Sequence, residues 1–99
     1  MRFPVNTRAT CPDGWSVSII ARRGAYCDPR DDRGPWTHVE LGFPTAHEPD
    51  LEVYKEPPPE ARHEDSVFPY VPVEVVEAIL VKHGFVLAEL CLCPYWSPA

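Results

Sequence analysis

No apolar run in this chain approaches the roughly 18 to 20 residues that a membrane-spanning helix needs, and the opening Met1-Arg2-Phe3-Pro4-Val5-Asn6 lacks the apolar core of a secretory signal. The expected compartment is the cytoplasm, with no membrane association. Glycine is scarce, at five residues, and none of it forms a phosphate-cradling loop or a nucleophile elbow; an HExxH pair is missing as well. The chain also lacks clustered Lys and Arg: nine basic residues face fifteen acidic ones, for a net charge of −6. Gripping a phosphate backbone depends on such clusters releasing counterions, so direct nucleic-acid binding is not expected. Finally, the cysteines lack the close spacing of a zinc site. Cys11 and Cys27 are sixteen residues apart and Cys91-Leu92-Cys93 has a single intervening residue, whereas zinc ligands usually come in pairs separated by about two to four residues.

What is present suits one small domain spanning residues 1–99, since a chain of this length has room for one core. Hydrophobic residues make up 44% of it and eleven are aromatic, enough to fold rather than stay disordered. Trp15-Ser16-Val17-Ser18-Ile19 alternates large apolar and small polar residues, the period of a half-buried strand with Trp15, Val17 and Ile19 inward. Trp36 to Phe43 repeats the pattern, with Val39, Leu41 and Phe43 on the apolar face and His38 and Glu40 opposite. The two segments are expected to pair antiparallel. Between them, Arg22 to Pro35 carries too many Gly, Pro and Asp turn signals for a two-residue hairpin and reads as a long, exposed, charged loop. Phe3 to Ala9 suits an edge strand, because Pro4 cannot donate to a central ladder.

The segment 44–65 holds five prolines and nine charges, net −5, and reads as an acidic, Pro-rich connection with at most a short strand at Leu51 to Tyr54 and an extended Pro57-Pro58-Pro59. A helix is predicted from Pro72 to His83, with Pro72 at its first position and Gly84 as its left-handed stop. Glu74 and Glu77 sit near its positive end and Lys82 and His83 near its negative end, and Val75, Val76, Ile79 and Leu80 form the stripe that would lie on the sheet. Phe85 to Leu92 reads as a closing strand, and the tail bearing Tyr95 and Trp96 is apolar enough to mask a subunit edge in a homodimer. The predicted fold class is α+β: an antiparallel sheet of about four strands with one helix on one face.

Candidate chemistry is thin. Cys11, Cys27, Cys91 and Cys93 could serve a small metal or redox module, or simply pack as thiols. None of His38, His47, His63 and His83 is placed by local sequence beside a nucleophile, and the carboxylates lack the spacing of a calcium loop. No catalytic residue, metal ligand or cofactor is therefore assigned. What remains is surface. Asp31 and Asp32 in the charged loop, and Glu48, Asp50, Glu52, Tyr54 and Glu56 in the acidic arm, place negative charge beside an aromatic anchor, a combination suited to a basic protein surface.

The stretches Tyr70-Val71-Pro72-Val73-Glu74-Val75-Val76-Glu77 with Lys82-His83-Gly84, Gly14 to Ile19, and Val39 to Pro44 resemble small proteins encoded by bacteriophages and related mobile elements. The likeness covers about half of the chain and marks no catalytic residue. It departs at Phe85, where the family pattern has a second glycine, and does not extend to the cysteine-bearing end. The resemblance implies a non-enzymatic protein acting in the host bacterial cell. Such a protein inhibits defence machinery in the manner of anti-CRISPR proteins, by occupying a basic, nucleic-acid-binding surface of a host protein, or else serves as a structural or assembly factor of the particle.

Overall fold

In the computed structural model, which describes residues 1–87, the alternating segments form the centre of a four-stranded antiparallel meander. The strands are β1 (Thr7–Thr10), β2 (Ser16–Ile20), β3 (His38–Gly42) and β4 (Val67–Pro72), in the spatial order β1-β2-β3-β4. Registry follows the apolar faces. Ala9 lies opposite Val17, Ile19 opposite Leu41, and Leu41 opposite Phe68, all of them buried. The other face of the central strands carries Ser18, Ile20 and Glu40. One helix, α1 (Val73–Lys82), packs its buried residues Val73, Val76, Ile79 and Leu80 into the same core. No helix among the described residues is long and apolar enough to cross a membrane.

The α+β class and the sheet of four strands agree with the sequence reading, but the fourth strand is not the expected one. Phe85 to Leu87 carries no strand, and the rest of the predicted closing strand, like Tyr95 and Trp96, lies outside the described residues. The sheet is instead closed by Val67–Pro72, whose Pro69 and Pro72 disguise it. Two steps along β3, Val39 to Leu41, are matched by three along β4, Phe68 to Val71, so β4 bulges. Tyr70 adopts φ +52° there, and a proline beside a bulge on an edge strand deprives no ladder of a donor.

Four further expectations are corrected. Leu51 to Tyr54 is part of a 3-10 helix, Pro49–Tyr54, and not a strand. Pro49 is preset for a helical start, and the Glu48 side chain caps the turn by accepting from the Asp50 N–H. The helix α1 begins at Val73, with Pro72 as the extended cap that ends β4, and Val73 takes the buried place expected for Val75, which is only half-buried. Phe43 leaves the apolar face altogether. The chain turns out of the sheet after Gly42, and Phe43, at φ +52°, is 51% exposed. The first edge strand lies later than predicted; Phe3 is fully buried but outside it. The Arg22 to Pro35 loop is largely exposed as expected, yet it is pinned by buried Ala25 and Cys27. Gly84 stops α1 at φ +92°, as predicted.

Candidate functional site

The 3-10 helix Pro49–Tyr54 and α1 lie side by side because Leu51, fully buried, anchors the former in the core that α1 covers. Between them runs an open groove of about 390 Å³. Its apolar lining comes from Val53, Tyr54, Val75, Ala78 and Ile79, and Asp50 and Glu74 supply carboxylates. Val53 is 84% exposed, which places a β-branched apolar side chain in water next to acids. Sequence periodicity missed this surface because Val53 lies in an acidic, Pro-rich stretch and Val75 is counted towards the core.

One end of the groove is held by a network of charge. Glu48 is 1% exposed. Its Oε2 accepts from Lys82 Nζ at 2.6 Å and from the Asp50 N–H at 2.9 Å, and its Oε1 faces His83 Nε2 at 2.7 Å. Lys82 also donates to Asp50 Oδ2 at 2.9 Å. His83 stacks flat on Trp15, with centroids 4.4 Å apart, and its Nδ1 lies 2.6 Å from Asp13 Oδ2. The Trp15 N–H in turn donates to Asp13 Oδ1 at 2.9 Å.

The protonation states follow from these contacts. Burial alone would raise the Glu48 pKa, but hydrogen bonds from Lys82, the Asp50 amide and His83 outweigh it and hold the carboxyl below its ordinary range. Burial likewise disfavours the charged forms of Lys82 and His83; bonds to Glu48 and Asp50 for the lysine, and to Asp13 and Glu48 for the histidine, prevail and raise both. The Asp13 carboxyl is lowered, chiefly by the Trp15 amide and then by His83. Each of these shifts favours the charged form of its group, so the carboxylates of Glu48 and Asp13 and the cations of Lys82 and His83 support one another.

A second group, His47, Glu52 and His63, brings three metal-ligand atoms within 4.8 Å of one another. The donor set does not fit a metal. His63 Nδ1 accepts the Glu48 N–H at 3.0 Å, so its ring proton is on Nε2, directed at Glu52 Oε1 2.7 Å away. A metal on Nε2 needs the lone pair that this proton occupies, and moving the proton to Nδ1 would set it against the Glu48 amide. A ligating histidine normally donates from its second nitrogen; His63 accepts there. The group is a support for Glu48, with the His47 ring tilted against His63 at a centroid distance of 4.0 Å.

The seven residues singled out in the sequence for partner contact are therefore not equivalent. Glu48 is a correction: a buried acid committed to Lys82 and His83 has no face to offer a partner. Asp50 is on the groove with its side chain 59% exposed, Tyr54 lines the groove, Glu52 is exposed while accepting from His63, and Glu56 is exposed at the end of the 3-10 helix. Asp31 and Asp32 belong elsewhere. Asp31 accepts from the Gly34 and Arg33 amides, which lower its carboxyl pKa, and Asp32 accepts from the Arg23 amide, so both tie the charged loop to itself. Cys11 and Cys27 are buried free thiols whose pKa burial pushes up; Cys91 and Cys93 lie outside the described residues. Comparison with protein-family models, curated proteins and solved structures gave no match.

Proposed function

We propose that this chain is a non-enzymatic binding protein whose groove between the Pro49–Tyr54 helix and α1 receives a basic, amphipathic segment of a partner protein. The observation that carries this is the acid-rimmed apolar lining: Val53 stands 84% exposed in a groove whose carboxylates are Asp50 and Glu74. Apolar contact supplies affinity and the carboxylates select Lys and Arg, whose aliphatic stems can lie along Val53 and Val75 while their heads meet the acids. Glu52 and Glu56 extend the negative surface.

A binding role is also favoured by the state of the groups that would otherwise serve catalysis. Both ring nitrogens of His63 and of His83 already have partners, and the thiols of Cys11 and Cys27 are buried and disfavoured as thiolates. Together with the resemblance to phage-encoded proteins, the groove suggests an inhibitor that covers a basic, nucleic-acid-binding surface of host defence machinery, as anti-CRISPR proteins do.

The test uses a labelled Lys- and Leu-rich amphipathic helical peptide of about 18 residues as probe, followed by fluorescence anisotropy at about 50 and 300 mM salt. The full chain should bind it in a salt-sensitive manner. Val53→Ser should weaken binding about tenfold at both salts, since partial burial of a valine is worth on the order of 1.5 kcal/mol. Glu74→Gln should weaken it mainly at low salt. Wild-type affinity in both variants would sink the groove as the binding surface.

A further inference from the structure

His83 ends α1 between two carboxylates from distant parts of the chain, Asp13 in the turn before β2 and Glu48 at the head of the 3-10 helix, 2.6 and 2.7 Å from its two nitrogens. Only the imidazolium has a proton for each. A neutral ring carries a single N–H, so either tautomer sets a nitrogen lone pair against a carboxylate oxygen at hydrogen-bonding distance. The two carboxylates differ in what they can do about it. Glu48 is 1% exposed and must keep its donors, whereas the Asp13 side chain is 48% exposed and can turn to water.

We propose that His83 is a pH-operated latch: its imidazolium fastens the turn before β2 to the end of α1, and loss of the ring proton leaves Nε2–H on Glu48 and releases Asp13. The other charged groups around the ring do not substitute for it. Lys82 and Asp50 stand behind Glu48 and keep its Oε2 occupied, His47 lies across the cleft that His83 shares with Thr45 and Ala46, and His63 and Glu52 reach the ring only through the Glu48 backbone amide. The flanking carboxylates outweigh burial and raise the His83 pKa above 6.5, so the latch is closed in acid and opens on the alkaline side. Release frees a defined element: the Trp15 amide loses a fixed acceptor in Asp13, and the Trp15 ring loses a cationic neighbour on its face. The device stands without any partner and does not depend on the groove being a binding surface.

Nuclear magnetic resonance on the full chain between about pH 5 and pH 9 tests this, reading the His83 ring nitrogens together with amide exchange corrected for its intrinsic pH dependence. The His83 midpoint should lie above 6.5 and the neutral ring should be the Nε2–H tautomer. Protection of the Trp15 amide should fall about tenfold with the same midpoint, while that of the Asp50 amide, held by Glu48, stays level. Asp13→Asn, whose amide can donate to a neutral Nδ1, should lower the midpoint and remove the change at Trp15. A midpoint at or below 6.5, an Nδ1–H tautomer, or constant Trp15 protection through the His83 titration would each overturn the proposal, and all three can be read on the wild-type chain.

Discussion

Replacing Glu48 by Gln keeps the shape of the side chain and removes only its charge and half of its acceptor capacity. In the native chain the carboxylate receives three hydrogen bonds, from His83 Nε2, Lys82 Nζ and the Asp50 amide. The Gln carbonyl oxygen can take the place of Oε2 and keep Lys82 and the cap, but its NH2 group then faces the protonated His83, donor against donor. A hydrogen bond to a charged group is worth about 1.5–3 kcal/mol. Losing the one to His83 outright and weakening the one to Lys82, whose side chain is 45% exposed and therefore partly screened by water, amounts to roughly 2–4 kcal/mol, a large part of the roughly 5–15 kcal/mol that holds a domain together. The cost should depend on pH in a definite direction. Once His83 has lost its proton it can place the remaining one on Nδ1, towards Asp13, and accept from the Gln NH2 through Nε2, so the donor conflict disappears. Urea unfolding followed by tryptophan fluorescence at about pH 5.5 and pH 8.5 should show the full destabilisation at the lower pH and less than about half of it at the higher, with unchanged m-values. A cost below about 1 kcal/mol at pH 5.5, or one that is the same at both pH values, would refute the assignment of Glu48 and His83 as a charged, hydrogen-bonded pair.

Two further substitutions test the packing of the acidic arm and of the charged loop. Leu51→Ala should destabilise by about 2–5 kcal/mol in the same assay, because a fully buried leucine that pins the 3-10 helix leaves a cavity; a cost under about 1 kcal/mol would mean that the acidic arm is not anchored as described. Gly34→Ala should cost about 1–3 kcal/mol, since Gly34 sits at φ +70° and an added Cβ would stand 2.7 Å from the Trp36 ring; stability equal to wild type would place the charged loop elsewhere.

The pH dependence of the cluster follows from the direction of each shift. His83 has its folded pKa raised above the ordinary 6.5, so its contribution is complete below 6.5 and is lost as pH rises through the folded value. Glu48 is lowered from 4.5 and Asp13 from 3.8, so their contributions are complete above those values and are lost as pH falls through the folded ones. The cluster therefore stabilises the fold most between about 4.5 and 6.5. A protein whose acids were all solvated surface charge would show no such window from them.

The parts of the fold that could be read from sequence are those in which a residue's neighbours in the chain decide its fate. Val17, Ile19, Val39 and Leu41 alternate with small or polar residues, and their strands form where alternation places them. The turns of α1 are legible for the same reason, from its apolar spacing and its glycine stop. Pairing decided the rest. β4 is a strand because β3 offers a free edge, and its two prolines are tolerated by a bulge that no local pattern announces. Phe43 looks like the next inward residue of an alternating series, but the chain has already left the ladder, with the Phe43 amide donating to Ser66 rather than to a strand partner.

The acidic residues show the same division with more consequence for function. Counted along the chain, Glu48, Asp50 and Glu52 are three equal charges in an acidic stretch. In space each meets a basic or imidazole group from far along the sequence: Glu48 meets Lys82 and His83, Asp50 meets Lys82, and Glu52 meets His63. Only the degree of burial then separates them. Glu48, sealed from water, serves to fasten α1, whereas Asp50, at 59% exposure, keeps most of its carboxylate available on the groove despite its lysine. Lys82 is what makes one arrangement do both: it fixes the buried acid and at the same time holds the exposed one against α1, so the negative rim of the groove is set by the bond that closes the fold. Lys82→Met should therefore lower stability and loosen peptide binding together, whereas Glu74→Gln, at an exposed acid with no ion-pair partner among the described residues, should affect mainly binding. If Lys82→Met folds less stably but binds the probe peptide with wild-type affinity, the rim does not need Lys82, and Asp50 is positioned by the cap of its own helix instead.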